Sequence, residues 1–398
     1  MTTAKLKSDL SAMRLALRLA RRGFGATSPN PMVGAVLVKG GKLSGRGWHR
    51  RAGLPHAEID ALRDAEQQGH NPKAATLYVT LEPCCTHGRT PPCTEAIIAA
   101  GIKRVVIGTT DPNPRHAGKG FEILERAGIE VLGLCRHVGA WESGDASPRS
   151  KLANDCTQLN EAFNHWIVHR TPFVTVKAAM TLDGKIATAR GESKWITGPA
   201  ARAHGMKLRQ GADAILVGIN TLLADDPSLT VRTGMVSRVP KLRRIILDSQ
   251  ARTPLAAKVV SDEWAGLTTV VVSKSASKKR VAALAKMVNV IVAPSASSKV
   301  TRQNSKLHLP WLLQKLGSEN ITSLLVEGGG EVNASFLLGG CAQRVAFFYA
   351  PKILGGRDAR KGVAGDGASS LGEILQLEEV AWRKLGADLV LTAKVTSD

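Results

Sequence analysis

The sequence predicts an α/β protein of two domains, and three observations support this. At 398 residues the chain is longer than one hydrophobic core usually organises. Short apolar runs alternate with helical patterns along most of its length, as strands and crossover helices do in a layered sheet. Two unrelated clusters of chemically active residue types, one built around His56 and one around Lys177, imply two separate sites.

The first helix is expected over residues 8–22, where Leu10, Met13, Leu17 and Ala20 share a stripe and Asp9 caps the start. Met32 to Val38 reads as a buried strand ending in a Gly40-Gly41 turn. Residues 55–68 form a helix that Pro55 opens and Gly69 closes. A strand over 76–81, a helix over 94–100 and a strand over 104–108 follow, and residues 120–127 and 129–132 repeat the alternation. Polar residues then dominate from Trp141 to Ser150, which sets the boundary: a first domain over 1–145, a linker and connecting helix over 146–170, and a second domain over 171–398. Within the linker, 152–169 reads as helical. Eight strands are expected in the second domain, over 172–180, 214–218, 244–248, 268–272, 288–292, 323–326, 345–349 and 389–393. Residues 295–306, rich in Ser, Lys, Asn and Gln, read as a mobile surface loop.

Composition narrows the partners. The net charge of +21 favours an anionic one, although most of the charge lies in scattered runs that read as solvated surface. Aromatic residues make up only 4%, which argues against a base-stacking track for nucleic acid. Six cysteines in a chain of this length form no disulfide framework, so a reducing cytoplasm is expected. The basic, amphipathic segment 8–22 could in isolation be a targeting peptide, but it reads better as the first helix of a folded domain. No apolar stretch is long enough to span a bilayer, and no membrane partner is expected.

The first cluster is Pro55-His56-Ala57-Glu58, followed by Glu82-Pro83-Cys84 and Cys93. Catalytic zinc takes three protein ligands and keeps a fourth position for water, and His56, Cys84 and Cys93 supply such a set. Residues two apart on a helix do not share a face, so His56 and Glu58 reach one metal only at the helix start, where Pro55 as first helical residue would put them. Cys93 also begins a helix, so helix N-termini would converge on the ion, where their positive ends suit thiolates. Glu58 reads as the proton shuttle of a nucleobase or nucleotide deaminase rather than as a ligand. Cys85 and His87 are rival ligands in the loop between the cysteines. That loop of eight residues departs from the Pro-Cys-x-x-Cys spacing common in zinc deaminases.

The second cluster begins at Lys177, set among apolar neighbours where an ammonium needs a ligand or an acid beside it, or else lies on an edge strand and reaches solvent. Residues 191–199 read as a loop that delivers a helix with Pro199 in its first turn. Arg202 and Arg209 share a face of that helix, which serves either to bind phosphate or as a solvated basic surface. Glu327-Gly328-Gly329-Gly330 follows a strand and precedes a helical stretch. Such a turn can offer N–H groups to a dinucleotide's phosphates, or be only a tight turn, and the Gly-x-Gly-x-x-Gly spacing is absent.

Taken together, Ser28 to Val38, Gly47-Trp48-His49, His56 to Glu58, Glu82 to Cys84 and Gly88 to Cys93 resemble the deaminase domain of the bifunctional riboflavin-biosynthesis deaminase/reductase family. Ala179 to Gly184, Gly191 to Thr197, Leu223 to Arg232 and Val326 to Gly329 resemble its reductase domain. The resemblance implies a cytidine-deaminase-like three-layer α/β/α fold, then a dihydrofolate-reductase-like α/β fold that uses NADPH. In that family a long gap between the cysteines is normal, because the loop helps hold the pyrimidine nucleotide. The resemblance places one zinc per chain on His56, Cys84 and Cys93, with Glu58 as proton donor and substrate contacts at Asn30, His49, Arg89 and Thr90. Arg89 stands where some members have Lys, which keeps the charge and alters the geometry of a phosphate contact. In the second domain it implies NADP contacts at Ala179, Trp195, Thr221, Asp225, Ser249, Gly329 and Gly330, and substrate contacts at Ser193, Arg209, Leu229, Arg232 and Glu327. Lys177 and Glu327 would lie beside the carbon that accepts hydride.

The activity so implied is hydrolytic deamination of 2,5-diamino-6-(5-phosphoribosylamino)pyrimidin-4-one, then NADPH-dependent reduction of its ribosyl group to ribityl. The partner is then a phosphorylated, nucleotide-like pyrimidine rather than nucleic acid, and the family suggests a homo-oligomer. The rival enzyme reading is a tRNA or other nucleic-acid deaminase with a C-terminal binding module. A structural zinc is a third reading, disfavoured because such sites normally have four protein ligands.

Overall fold

The computed structural model describes residues 3–87, 91–134, 147–231, 242–294 and 307–396. Arg89, Thr90, Arg232 and the segment 295–306 lie outside the described residues. The chain forms two compact units, Met1–Arg170 and Thr171–Asp398.

In the first unit α1 (Thr3–Ala20) precedes the hairpin β1 (Gly34–Lys39) and β2 (Lys42–Trp48). Then come α2 (Ala57–Gln67), β3 (Thr76–Val79), α3 (Cys93–Ala99), β4 (Arg104–Ile107), α4 (Lys119–Arg126) and β5 (Glu130–Gly133). The five strands form one sheet in the order β2-β1-β3-β4-β5, antiparallel around β1 and parallel from β3 to β5. Alternate strand residues feed two cores. Ala35, Leu37, Leu77 and Val105 meet α2 and α3 residues such as Ala61 and Ile97, while Val36, Tyr78 and Val106 meet Met13 and Leu17 of α1. Between α1 and the sheet sits a buried ion pair, in which Asp9 of α1 takes two hydrogen bonds from Arg104 of β4 and one from the Tyr78 hydroxyl of β3.

Three local expectations need correcting. Pro55 is not the first helical residue: α2 starts at Ala57 with His56 as its N-cap, so the imidazole sits just ahead of the helix and Glu58 in its first turn. The segment expected as one helix over 152–169 is two, α5 (Pro148–Gln158), capped by the Ser147 side chain, and α6 (Glu161–His169). Residues 42–48, given no strand, form β2, whose Gly45 and Gly47 let α2 approach the sheet closely.

The second unit contains β6 (Phe173–Thr181), β7 (Lys185–Ala187), α7 (Pro199–Gln210), β8 (Ala214–Gly218), α8 (Ile219–Asp225), β9 (Arg243–Leu247), α9 (Lys258–Ser261) and β10 (Thr268–Ser273). It continues with α10 (Lys278–Ala285), β11 (Asn289–Ala293), α11 (Leu309–Ser318), β12 (Ser323–Val326), α12 (Gly330–Leu337) and β13 (Arg344–Ala350). It ends with β14 (Arg360–Lys361), β15 (Leu377–Leu385) and β16 (Asp388–Val395). Nine of these strands form one sheet, ordered β11-β10-β9-β8-β12-β6-β13-β16-β15, with β7 and β14 paired apart. The sheet is parallel from β11 to β13 and closes in an antiparallel hairpin. Buried Val, Ile and Leu runs on the central strands, such as Ala214–Gly218, are what a sheet covered on both faces requires. In such a sheet ligands bind in the crevice beyond the carboxyl ends of the strands, where Glu327 and Ser249 follow β12 and β9 and Gly218 ends β8.

Candidate functional site

In the first unit the helix starts of α2 and α3 meet the loop that follows β3. His56 caps α2, Cys93 is the first residue of α3, and Cys84 lies in the loop between them. His56 Nδ1 is 3.5 Å from Cys84 Sγ and 3.3 Å from Cys93 Sγ. The three ligand atoms all lie within 4.8 Å of one another, and no other such group of metal-binding side chains occurs among the described residues. A tetrahedral zinc at its usual bond lengths would hold imidazole N and thiolate S roughly 3.6 Å apart, so the set fits the ion without rearrangement. Cys84 Sγ also accepts the backbone N–H of Cys93 at 3.3 Å. The hydrogen bond from Cys93, and then His56, lower the pKa of the Cys84 thiol, while the same bond and burial raise that of Cys93, so without a metal the pair shares one proton and Cys84 carries the thiolate.

Glu58 is buried, and its carboxyl reaches the Cys93 thiol. Burial, then the neighbouring Cys84 charge, pushes it up to about 7. His49 is buried beside this cluster, its ring 5.4 Å from that of His56 and edge-on to it. Its Nδ1 lies 3.0 Å from the Pro55 carbonyl and its Nε2 3.2 Å from Asn30 Nδ2, a pattern satisfied by the neutral ring with the proton on Nδ1. Burial lowers its pKa, which favours that neutral form. Asn30, His49, His56 and Glu58 are thus gathered around the two cysteines. Cys85 is outside the ligand group, and His87 instead faces Glu95 at 3.4 Å.

Sequence reasoning gave no role to Glu82, which organises the loop. Its buried carboxylate accepts the N–H groups of Asp111, Gly118 and Gly120. Asp111 in turn meets His116 at 3.2 Å, and His116 reaches Thr86 at 2.8 Å. The only available signal was an acid at a buried strand end, because its partners lie 29 to 38 residues downstream.

In the second unit Lys177 on β6 faces Glu327, which follows β12, at 3.6 Å. Arg209 of α7 grips the same carboxylate with two hydrogen bonds, from Nε at 2.8 Å and Nη2 at 2.9 Å, and donates Nη1 to the Thr230 carbonyl. Burial raises the Glu327 pKa, but Lys177 and Arg209 overcome it and hold the group at about 2. Arg202, expected to share a face with Arg209, lies over the Trp195 ring at 4.7 Å and donates to the Thr197 carbonyl. Trp195 is 67% exposed.

Ser193 donates to Asp225 at 3.1 Å, and Asp225 ends α8, the helix that also carries Thr221. A Cβ on Gly329 would meet the Thr221 hydroxyl at 3.6 Å, so the turn before α12 adjoins α8. Gly329 caps α12 with no side chain, which leaves the first N–H groups of that helix open to an anion. A Cβ on Gly330 would strike the Lys361 carbonyl at 2.3 Å, which explains glycine there. Ser193 and the Gly329 turn thus both adjoin α8, through Asp225 and Thr221. Ala179 lies on β6, and the Ser249 carbonyl accepts two hydrogen bonds from Ser273. Leu229 is 2% exposed, with its side chain packed in the core and its φ at +51°.

A three-layer unit with a His-Cys-Cys cluster and an adjacent buried carboxyl, joined to a doubly covered sheet with a charged crevice, defines a zinc-deaminase-type domain fused to a reductase-type one. Residues 6–109 match the model of the cytidine and deoxycytidylate deaminase zinc-binding region, and residues 172–391 match that of the RibD C-terminal domain. The chain is 44% identical to the riboflavin biosynthesis protein RibD of Aquifex aeolicus, over 97% of this chain and 98% of that one. A solved structure of Acinetobacter baumannii RibD superposes with a TM-score of 0.81 at 36% identity, covering 98% of this chain and 100% of the other. A Thermotoga maritima structure described as a diaminohydroxyphosphoribosylaminopyrimidine deaminase/5-amino-6-(5-phosphoribosylamino)uracil reductase gives 0.76 at 33% identity, with coverage of 98% and 99%. The chain belongs to the RibD family of riboflavin biosynthesis proteins.

Proposed function

We propose that the first unit deaminates the diaminopyrimidine ribosyl phosphate and that the second reduces the product's ribosyl group to ribityl. The observation that carries this reading is the convergence of His56, Cys84, Cys93 and Glu58 in a unit whose partner holds Lys177, Glu327 and Arg209 in one crevice. Zinc on His56, Cys84 and Cys93 would lower the pKa of a water toward neutrality and make it nucleophilic. Glu58 would carry one proton of the attacking water to the ring nitrogen and the second, from the hydroxyl so added, to the amino group, which leaves as ammonia. A carboxyl held near neutrality is suited to both accepting and giving that proton. Neutral His49, with Asn30 on its Nε2, orients the pyrimidine, and Arg89 and Thr90 are assigned to the same substrate.

NADPH bound by Trp195, Thr221, Asp225 and Gly329 would supply the hydride for the sugar carbon C1′. Ala179, Ser249 and Gly330 are assigned to the same cofactor. Glu327 fixes the Lys177 ammonium next to that carbon, where it donates to the substrate as charge changes. Arg209 keeps two of its five N–H groups after its three hydrogen bonds, and with Arg232 it holds the substrate phosphate. Ser193 is assigned to the substrate side of the crevice, and Leu229, whose side chain is in the core, can serve the substrate only through its backbone. The basic residues of both pockets thus serve one phosphate handle.

Parallel assays of ammonia release and NADPH oxidation test the division of labour. Glu58→Gln should cut ammonia release by about a hundredfold or more, the usual range for a lost acid–base group, while reduction of supplied deaminated substrate continues. Lys177→Met should do the reverse, and a variant that impaired both activities equally would contradict two independent sites.

A further inference from the structure

The helix and strand that carry the deaminase residues have a second, outward side. On α2 the residues Ala57, Glu58, Ala61, Leu62 and Ala65 are buried. Asp60, Arg63, Asp64 and Gln67, spaced three and four apart, instead line a cavity of about 550 Å³. Arg46, Trp48 and Arg50, alternate residues along β2 and just beyond it, form the facing wall, and Arg22 completes it. None of these belongs to the His56, Cys84, Cys93 cluster.

The guanidinium groups of Arg22 and Arg50 lie 4.9 Å and 4.3 Å from the centre of the Trp48 ring. The ring contact positions both groups, and Arg50 in addition donates one N–H to Asp60. The two acids are already engaged. Asp60 accepts from the Trp48 backbone N–H at 3.4 Å and from Arg50 at 3.2 Å, and Asp64 from the Arg46 backbone N–H at 2.9 Å and Gln68 at 2.8 Å. Arg22, Arg46 and Arg63 have no carboxylate partner among the described residues. Four guanidinium groups therefore face two occupied carboxylates, and the cavity is electropositive.

We propose that this cavity is a second anion site, separate from the deaminase centre, that takes a phosphate-bearing small molecule of nucleotide size. Guanidinium forks match phosphate oxygens two at a time, which a lysine surface does not. The volume falls in the range of small-molecule pockets. Asp60 and Asp64 interrupt what would otherwise be a continuous cationic track, so an extended nucleic acid fits less well.

Calorimetric titration of the full-length, zinc-loaded protein, saturated with NADPH, with pyrophosphate and with ADP tests the proposal at constant ionic strength. The wild type should bind one equivalent that Arg46→Gln/Arg63→Gln weakens by about tenfold or more, as loss of two charge-assisted contacts implies. Arg46→Lys/Arg63→Lys should recover part of it, and basal ammonia release and NADPH oxidation should stay unchanged in both. Equal affinity in wild type and the Gln variant would overturn the site. So would tighter binding of a single-stranded oligonucleotide than of ADP through the same arginines, which would make the surface a nucleic-acid track.

Discussion

At the scale of single residues, the chemistry depends on buried charges that each have a named partner. Glu327 shows this most clearly. Burial alone would keep it protonated, yet Lys177 and Arg209 hold it ionised, with its folded pKa at about 2 against an ordinary 4.5. A carboxyl depressed in the folded state stabilises the fold above its unfolded pKa and loses that contribution as pH falls through the folded value. Thermal unfolding of the full chain should therefore shift to lower temperature as pH drops from about 4.5 toward 2, and Glu327→Gln should flatten that part of the profile. An unchanged slope in the variant would mean that the Lys177–Glu327–Arg209 contact does not form in solution. All three residues were singled out in the sequence, but the Arg209–Glu327 grip spans 118 positions and left no local trace.

At the scale of elements, close approach decides what the sequence must contain. A Cβ on Gly47 would come within 2.4 Å of both the Ala57 carbonyl and the Ala61 N. Because that contact is backbone on backbone, Gly47→Ala should cost about 1–3 kcal/mol in urea unfolding and push α2, with Glu58, off the sheet. Deamination should fall further than reduction, and an equally stable, equally active variant would show that the helix has room to move. The same feature explains why β2 was illegible. Its sequence Lys-Leu-Ser-Gly-Arg-Gly-Trp has glycine where an alternating apolar residue would announce a strand. The central parallel strands were legible because both faces are buried and they read as apolar runs; β8 and β12 match the expected bounds. β15 was not, since its residues are largely exposed and include Glu378, Glu379, Arg383 and Lys384. The helix break at Leu159–Asn160 was hidden because the Asn160 side chain serves Met32 across the unit, a contact 128 residues away in sequence.

At the scale of the whole molecule, two units with their own cores divide one chain into two chemistries, and their separability is measurable. Removing zinc with a chelator should abolish ammonia release while NADPH oxidation on supplied deaminated substrate persists, because no zinc-binding group among the described residues lies in the second unit. Loss of both activities on chelation would contradict that independence. The cluster of His56, Cys84 and Cys93 was legible because each residue lies in a short local motif. The loop support from Glu82 was not, because its partners come from a distant turn. No helix among the described residues is long and apolar enough to cross a membrane. The central claim is that this one chain performs deamination and reduction in succession, and product analysis tests it most directly. With the diaminopyrimidine ribosyl phosphate alone, the purified protein should yield ammonia and the deaminated ribosyl compound, and with NADPH added, the ribityl compound. Reduction without prior release of ammonia, or no ribityl product with NADPH present, would contradict it.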